Sequence, residues 1–325
     1  MSPISSELVG LGSDFIAEFR YIWWYFIFGV ALEALVRTFG WHIKLRKFLE
    51  RFGHGSIFIA TGIGLFSPLC ACGILPLTIS MLMAGVPLAP AIALLVASPL
   101  MSPAGYALTA WELGGQWALA KLLSAMVMGL FAGYVTLFFQ KRGGFDNKDL
   151  FARGVPKGDF HDPDYPCDDL QCDCRNQFSK KYIETRTKNK FLVFLGKFVD
   201  GTLKIGKFTV LGVAIEVIAA RYIPTEWISP LLTNTVPFSI PILTLAVVPL
   251  HINQIMASAI LYGFVDLPLA HGPGLAFLVG APVTAIPVMG VFLAFFRRRV
   301  FFLYMGICIT GTIGLAYAYQ YLIVP

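Results

Sequence analysis

The chain has 325 residues, of which 57% are hydrophobic and 14% charged, with a mean hydropathy of +0.71. Soluble domains carry about 45–50% apolar and about 25% charged residues, so this balance excludes an ordinary soluble domain. The net charge of +6 collects at the ends of apolar runs and in one loop. That distribution reports membrane topology and excludes a nucleic-acid-binding surface.

The chain opens "MSPISSELVGLGSDFIAEFR", which carries acidic residues and no basic leader, so a cleaved signal peptide is not expected there. Apolar runs follow at 21–36, 117–139, 205–220 and 300–319. Each is close to the ~20 residues that cross a bilayer core. An all-α polytopic membrane protein is therefore expected, with the lipid bilayer as its first partner.

The runs are organised as a repeat. "GVALEALV" at 29–36 matches "GVAIEVIA" at 212–219, and "PAIALLVASP" at 90–99 matches "PGLAFLVGAP" at 273–282. Both matches share one offset of 183 residues, and each contains a polar or proline landmark. The sequence thus divides into a first transmembrane repeat (1–140), a hydrophilic Cys-containing loop (141–190) and a second transmembrane repeat (191–325). The loop holds 11 Lys/Arg and 9 Asp/Glu, the composition of a linker with little core of its own.

Basic residues indicate how the halves are related. The loop 37–51 carries Arg37, Lys44, Arg46, Lys47 and Arg51, whereas its repeat-mate 220–234 has only Arg221. Conversely, "GGQ" at 114–116 corresponds to "RRR" at 297–299. Equivalent loops that exchange their basic residues fit an inverted repeat, with 37–51, 141–190 and 297–299 cytoplasmic and both termini outside.

Within the first half, residues 55–66 and 74–85 are too short to span separately. Joined by "SPLCACGILP" they are expected to form a re-entrant hairpin, followed by a span over 87–112 broken at "SPLMSP" (98–103). The second half is expected to repeat this with a hairpin at 238–268 and a helix broken around Ala281–Thr284. Proline removes a backbone donor and clashes with the preceding turn. Unpaired backbone at membrane depth is tolerated only beside a cavity or inside protein, the setting of a transporter's substrate site.

The polar residues near these breaks are the candidates for chemistry. Cys70 and Cys72 lie in the first tip, and at i and i+2 of an extended turn both thiolates reach one soft ion, whether Hg(II), Cu(I), Zn(II) or trivalent arsenic. The second tip, "PLHINQIM", offers His251, Asn253 and Gln254. These either ligate substrate or support the hairpin's own backbone, with His251 the leading ligand. Ser98, Ser102 and Thr284 sit at the helix breaks, where Ser and Thr re-satisfy freed backbone groups or touch substrate. Glu33 and Glu216 are a repeat-related carboxylate pair, either proton-coupling groups or interfacial partners such as Glu33 with Arg37. In the loop, Cys167, Cys172 and Cys174 stand beside His161 and could capture a soft metal, although their spacing matches no standard zinc motif. Cys308 lies in a small-residue run and reads as packing.

The segments "SPLCACGILPLTISMLMAGVPLAPAIALLVASPLMSP" and "PGLAFLVGAPVTAIP" resemble the predicted-permease family of the organoarsenical efflux permease ArsP and the YraQ-type proteins. The resemblance covers both membrane halves but not the central loop. It implies a multi-pass inner-membrane permease, with export of trivalent organoarsenicals in the best-understood branch and Cys70 and Cys72 as thiol ligands. Family members often have another cysteine at the second tip, where this chain has His251-Ile252-Asn253. That exchange leaves a divalent metal such as zinc or mercury open as substrate.

The leading expectation is a secondary transporter, not an enzyme, that exports a soft metal or metalloid species without a bound cofactor. No Walker motif is visible, so proton or ion exchange is the expected drive, with protons a candidate coupling ion. The alternatives are a permease for another divalent metal or a small sulfur-containing anion and, in a different class, a membrane thiol redox protein. Homo-oligomerisation is left open.

Overall fold

The computed structural model describes residues 51–67, 71–83, 86–143, 191–199, 229–233, 238–248, 254–264, 270–284 and 296–323, with isolated positions elsewhere. The first half contains α1 (Gly55–Phe66), α2 (Ala71–Met83), α3 (Leu88–Ala97), α4 (Pro103–Glu112) and α5 (Gly115–Lys141). The second contains α6 (Ser229–Thr233), α7 (Ser239–Val247), α8 (Gln254–Tyr262), α9 (His271–Val283) and α10 (Arg298–Ala318), which continues into a π-helical turn at Tyr319–Ile323. All the extended elements among the described residues are helices, as expected for an all-α protein.

The 183-residue offset recurs in the helix starts: Ala71 and Gln254, Leu88 and His271, Gly115 and Arg298. The packing repeats with it. In the first half α3 packs on α1, α2 and α5, and in the second α9 packs on α7, α8 and α10.

α3 and α9 form the centre of each half. All ten residues of α3 are buried, as is every residue of α9 from Gly272 to Val283. A helix that is apolar all round has no solvent face and must be enclosed by its neighbours. One hydrophobic cluster runs from Leu95, Leu100 and Met128 to Val279, Val283 and Tyr304, and so joins the halves.

The outer helices are built the other way round. On α5 the large apolar side chains Leu119, Leu123, Val127, Phe131 and Phe138 are exposed, spaced four or seven residues apart. Its buried face holds Ala118, Lys121, Ser124, Ala125, Gly129, Ala132, Gly133 and Thr136. Water would favour the opposite arrangement; a lipid solvent favours this one. Among the described residues, α5 and the 24 residues from Arg298 to Tyr321 are long and apolar enough to cross a membrane.

Close approach of α5 to its neighbours depends on its G-x-x-x-G stretch. A Cβ on Gly129 would lie 2.6 Å from Thr61 Cγ2, and one on Gly133 would strike Ile57 Cγ2. Small residues at that spacing allow helix backbones to pack closely in a bilayer. Across the halves, Gly311 of α10 leaves room for Met128, and Gly274 of α9 leaves room for Trp117, whose indole stacks on His271 at 5.7 Å.

The first break falls where the prolines place it. α3 ends at Ala97, and α4 restarts at Pro103 with Ser102 as its N-cap. One boundary differs from expectation: α2 begins at Ala71 and not at 74. Cys72 is therefore in the first helical turn and not in an extended segment. The apolar residues after Cys72 continue the helix, and the nearest breaker, Pro76, is already inside it. Pro76 has no N–H for the carbonyl of Cys72, four residues earlier, so that carbonyl has no helical partner.

Candidate functional site at the junction of the two halves

Ser102 has extended backbone angles (φ −144°, ψ 162°), and its Oγ accepts from Gly105 N at 3.1 Å. Pro103 occupies the first helical position, where its missing N–H costs nothing. The same Oγ also accepts from Gln254 Nε2 at 3.0 Å, which brings the first residue of α8 onto the break of the other half. Gly105 makes that docking possible, because a Cβ there would lie 2.9 Å from Gln254 Oε1.

One turn further along each helix stand Thr109 and Ser258, with their hydroxyl oxygens 2.8 Å apart. Thr109 donates to Gly105 O at 2.7 Å. Lys121 enters this cluster from α5 and is 0% exposed. Its Nζ donates to Gln254 O at 2.9 Å, Ser258 Oγ at 3.1 Å and Thr109 Oγ1 at 3.2 Å. An ammonium has three N–H donors, and all three are used. None of these direct partners is a carboxylate. Glu112 is the last residue of α4. Glu112 Oε2 is buried and has no hydrogen-bond partner among the described residues, and the same holds for Gln254 Oε1.

The repeat-mate of Lys121 is Tyr304, and that of Thr109 is Phe292. These positions meet as well: the rings of Phe292 and Tyr304 stack at 4.8 Å, and Phe292 stacks on Phe296 at 4.5 Å. Tyr304 Oη donates to Val283 O at 2.9 Å, which satisfies a carbonyl at the end of α9. Thr284 donates to Gly280 O at 2.9 Å beside Pro282, which cannot donate to the preceding turn.

Ser102 and Thr284 thus make the backbone contacts read for residues at a break, and Ser102 also holds the facing half. Ser98 is fully buried at the C-terminus of α3. Cys308 is fully buried and reduced in the core. Cys70, His251, Asn253, Glu33, Glu216, Cys167, Cys172 and Cys174 lie outside the described residues, and Cys72 is described by its backbone alone. Sequence reasoning missed Lys121, which stood unremarked in the apolar run 117–139. The available signal was an ionisable side chain well inside such a run, which is costly in a membrane and marks function. Thr109 and Ser258 gave no comparable signal.

No solved structure matches this chain. The chain is 22% identical over 300 residues to the UPF0718 protein YcgR of Bacillus subtilis (strain 168), a match covering 92% of each. The model of the ArsP_1 family, described as a predicted permease, matches residues 14–321. With two repeated halves, a broken helix and a polar junction inside an apolar assembly, this protein belongs to the ArsP_1 predicted-permease family and is a membrane transporter.

Proposed function

We propose that this permease is a secondary transporter that exports a soft metal or metalloid species, such as a trivalent organoarsenical. In this reading Cys70 and Cys72 supply the thiolates, and His251 and Asn253 of the second tip are weaker partners. The carrying observation is the repeat register. Gln254, which opens α8 and docks on the break at Ser102, is the counterpart of Ala71, which lies between the two cysteines. By that symmetry each tip presents its polar residues to the other half's broken helix.

The halves lie in opposite orientations in the cell membrane, each with a re-entrant hairpin, and the exchanged basic loops support this. Two thiolates with a borderline imidazole bind a soft ion yet release it, as transport requires, where a closed four-thiolate cage would retain it. The substrate enters from the cytoplasm, and Cys167, Cys172 and Cys174 capture it there.

The test is the sensitivity of cells with and without the protein to a trivalent phenylarsenical, Hg(II) and Zn(II), at matched protein levels. Resistance is expected with the wild type and is abolished in Cys70→Ser and Cys72→Ser. Replacing the three loop cysteines together is expected to weaken apparent affinity while leaving turnover. Full resistance in the double serine variant would rule out the thiolate site and favour permeation of a small anion.

A further inference from the structure

Lys121 is a fully buried cation whose hydrogen-bond partners are two hydroxyls and one carbonyl. Those partners accommodate either protonation state, because a hydroxyl can donate or accept. In the ammonium form Nζ donates three bonds, Ser258 donates to Thr109 Oγ1, and Thr109 donates to Gly105 O. In the amine form Nζ keeps two N–H groups, for Gln254 O and Thr109 Oγ1. Its lone pair then accepts from the Ser258 hydroxyl, which turns away from Thr109. Every polar atom of this set is satisfied in both forms. A carboxylate in direct contact would instead have favoured one of them.

The same bonds join the two halves. Thr109 and Lys121 belong to the corner of α4 and α5, whereas Gln254 and Ser258 belong to α8. A charge-assisted hydrogen bond is roughly twice as strong as a neutral one, so the proton on Nζ sets the strength of this contact. Lysine suits such a role because its ammonium gives up a proton when buried, where arginine does not.

Among the described residues, the ionisable groups on the helices around Lys121 are few. α1 and α3 carry none, and α4 brings Tyr106 and Glu112. α8 ends at Tyr262, and α9 brings His271, stacked on Trp117 one turn before Lys121. α10 carries Arg298, Arg299, Tyr304, Cys308 and Tyr317, and α5 itself carries Tyr134 and Lys141. Of these, Glu112 has a buried Oε2 with no hydrogen-bond partner among the described residues.

We infer that Lys121 is a proton-exchanging latch between the halves: the charge-assisted bonds of the ammonium hold α8 tightly on the α4–α5 corner, and the neutral bonds of the amine hold it loosely. The proton leaving Nζ goes to water or hydroxide of the solvent and leaves a neutral amine. Coupling of this latch to export rests on the transporter reading above; the latch itself does not.

The test therefore uses the intact protein in lipid nanodiscs without substrate. Spin labels are attached through non-canonical residues at Trp111 of α4 and Tyr262 of α8, both exposed. Their separation is measured by pulsed electron paramagnetic resonance from pH 5 to pH 10. The wild type should lengthen through a single transition as pH rises. K121R, which keeps its charge, should hold the short distance throughout. A wild-type distance independent of pH, or the same transition in K121R, would overturn the latch. Because no substrate is present, the latch can fail while export survives, and export can fail while the latch survives.

Discussion

Lys121 and Tyr304 occupy the same place in the two halves, seven residues into the long outer helix that follows the break. Both are buried, and both donate to a backbone carbonyl. Their surroundings have diverged. Tyr304 binds within its own half, to Val283 O, and stacks on the aromatic Phe292. Lys121 reaches into the other half through Gln254 and Ser258. The repeated scaffold fixes where a polar side chain meets a break, and the side chain decides whether the contact stays local or joins the halves. Aromatic stacking makes the second position a rigid one. Two hydroxyls around a cation make the first position switchable.

Unfolding of the intact protein in detergent would separate the two positions. Lys121→Met removes three donors at once, so a loss of about 3 kcal/mol is expected. Tyr304→Phe removes a single hydroxyl and should cost about 1 kcal/mol. Equal losses would break the comparison. Glycines sharpen it at the level of packing. Gly133→Ala places a methyl against Ile57 and should cost about 1–3 kcal/mol. Gly314→Ala meets open space and should stabilise α10 by up to about 1 kcal/mol. The smallest effect is expected for Thr284→Val, which gives up one bond to Gly280 O and should cost about 0.5 kcal/mol by the same measurement.

Much of the fold was legible in the sequence because proline and serine punctuate it. Pro103 with its Ser102 cap marks the restart of α4, and the match of 90–99 to 273–282 corresponds to two fully enclosed helices. The start of α2 was less legible, since Pro76 suggested a later beginning and the helix accommodates it. The junction was the hardest to see. Lys121 lies 12 residues from Thr109 and 137 from Ser258, so only the folded chain brings them together. Thr109 and Ser258 carry no charge that would single them out from other hydroxyls in an apolar run. The expected thiol and imidazole ligands Cys70 and His251 and the candidate coupling carboxylates Glu33 and Glu216 lie outside the described residues, so they stand on the sequence.

The central claim is that two copies of one unit face each other in opposite orientations across the membrane. The equivalent helix starts Gly115 and Arg298 allow it to be tested in a single measurement. Single cysteines are introduced at the neighbouring equivalent positions Gln116 and Arg299, in a chain whose native cysteines are replaced, and labelled in intact cells with a membrane-impermeant maleimide. Labelling of Gln116→Cys with protection of Arg299→Cys until the cells are opened is the predicted result. Equal accessibility of the two positions from one side would contradict it.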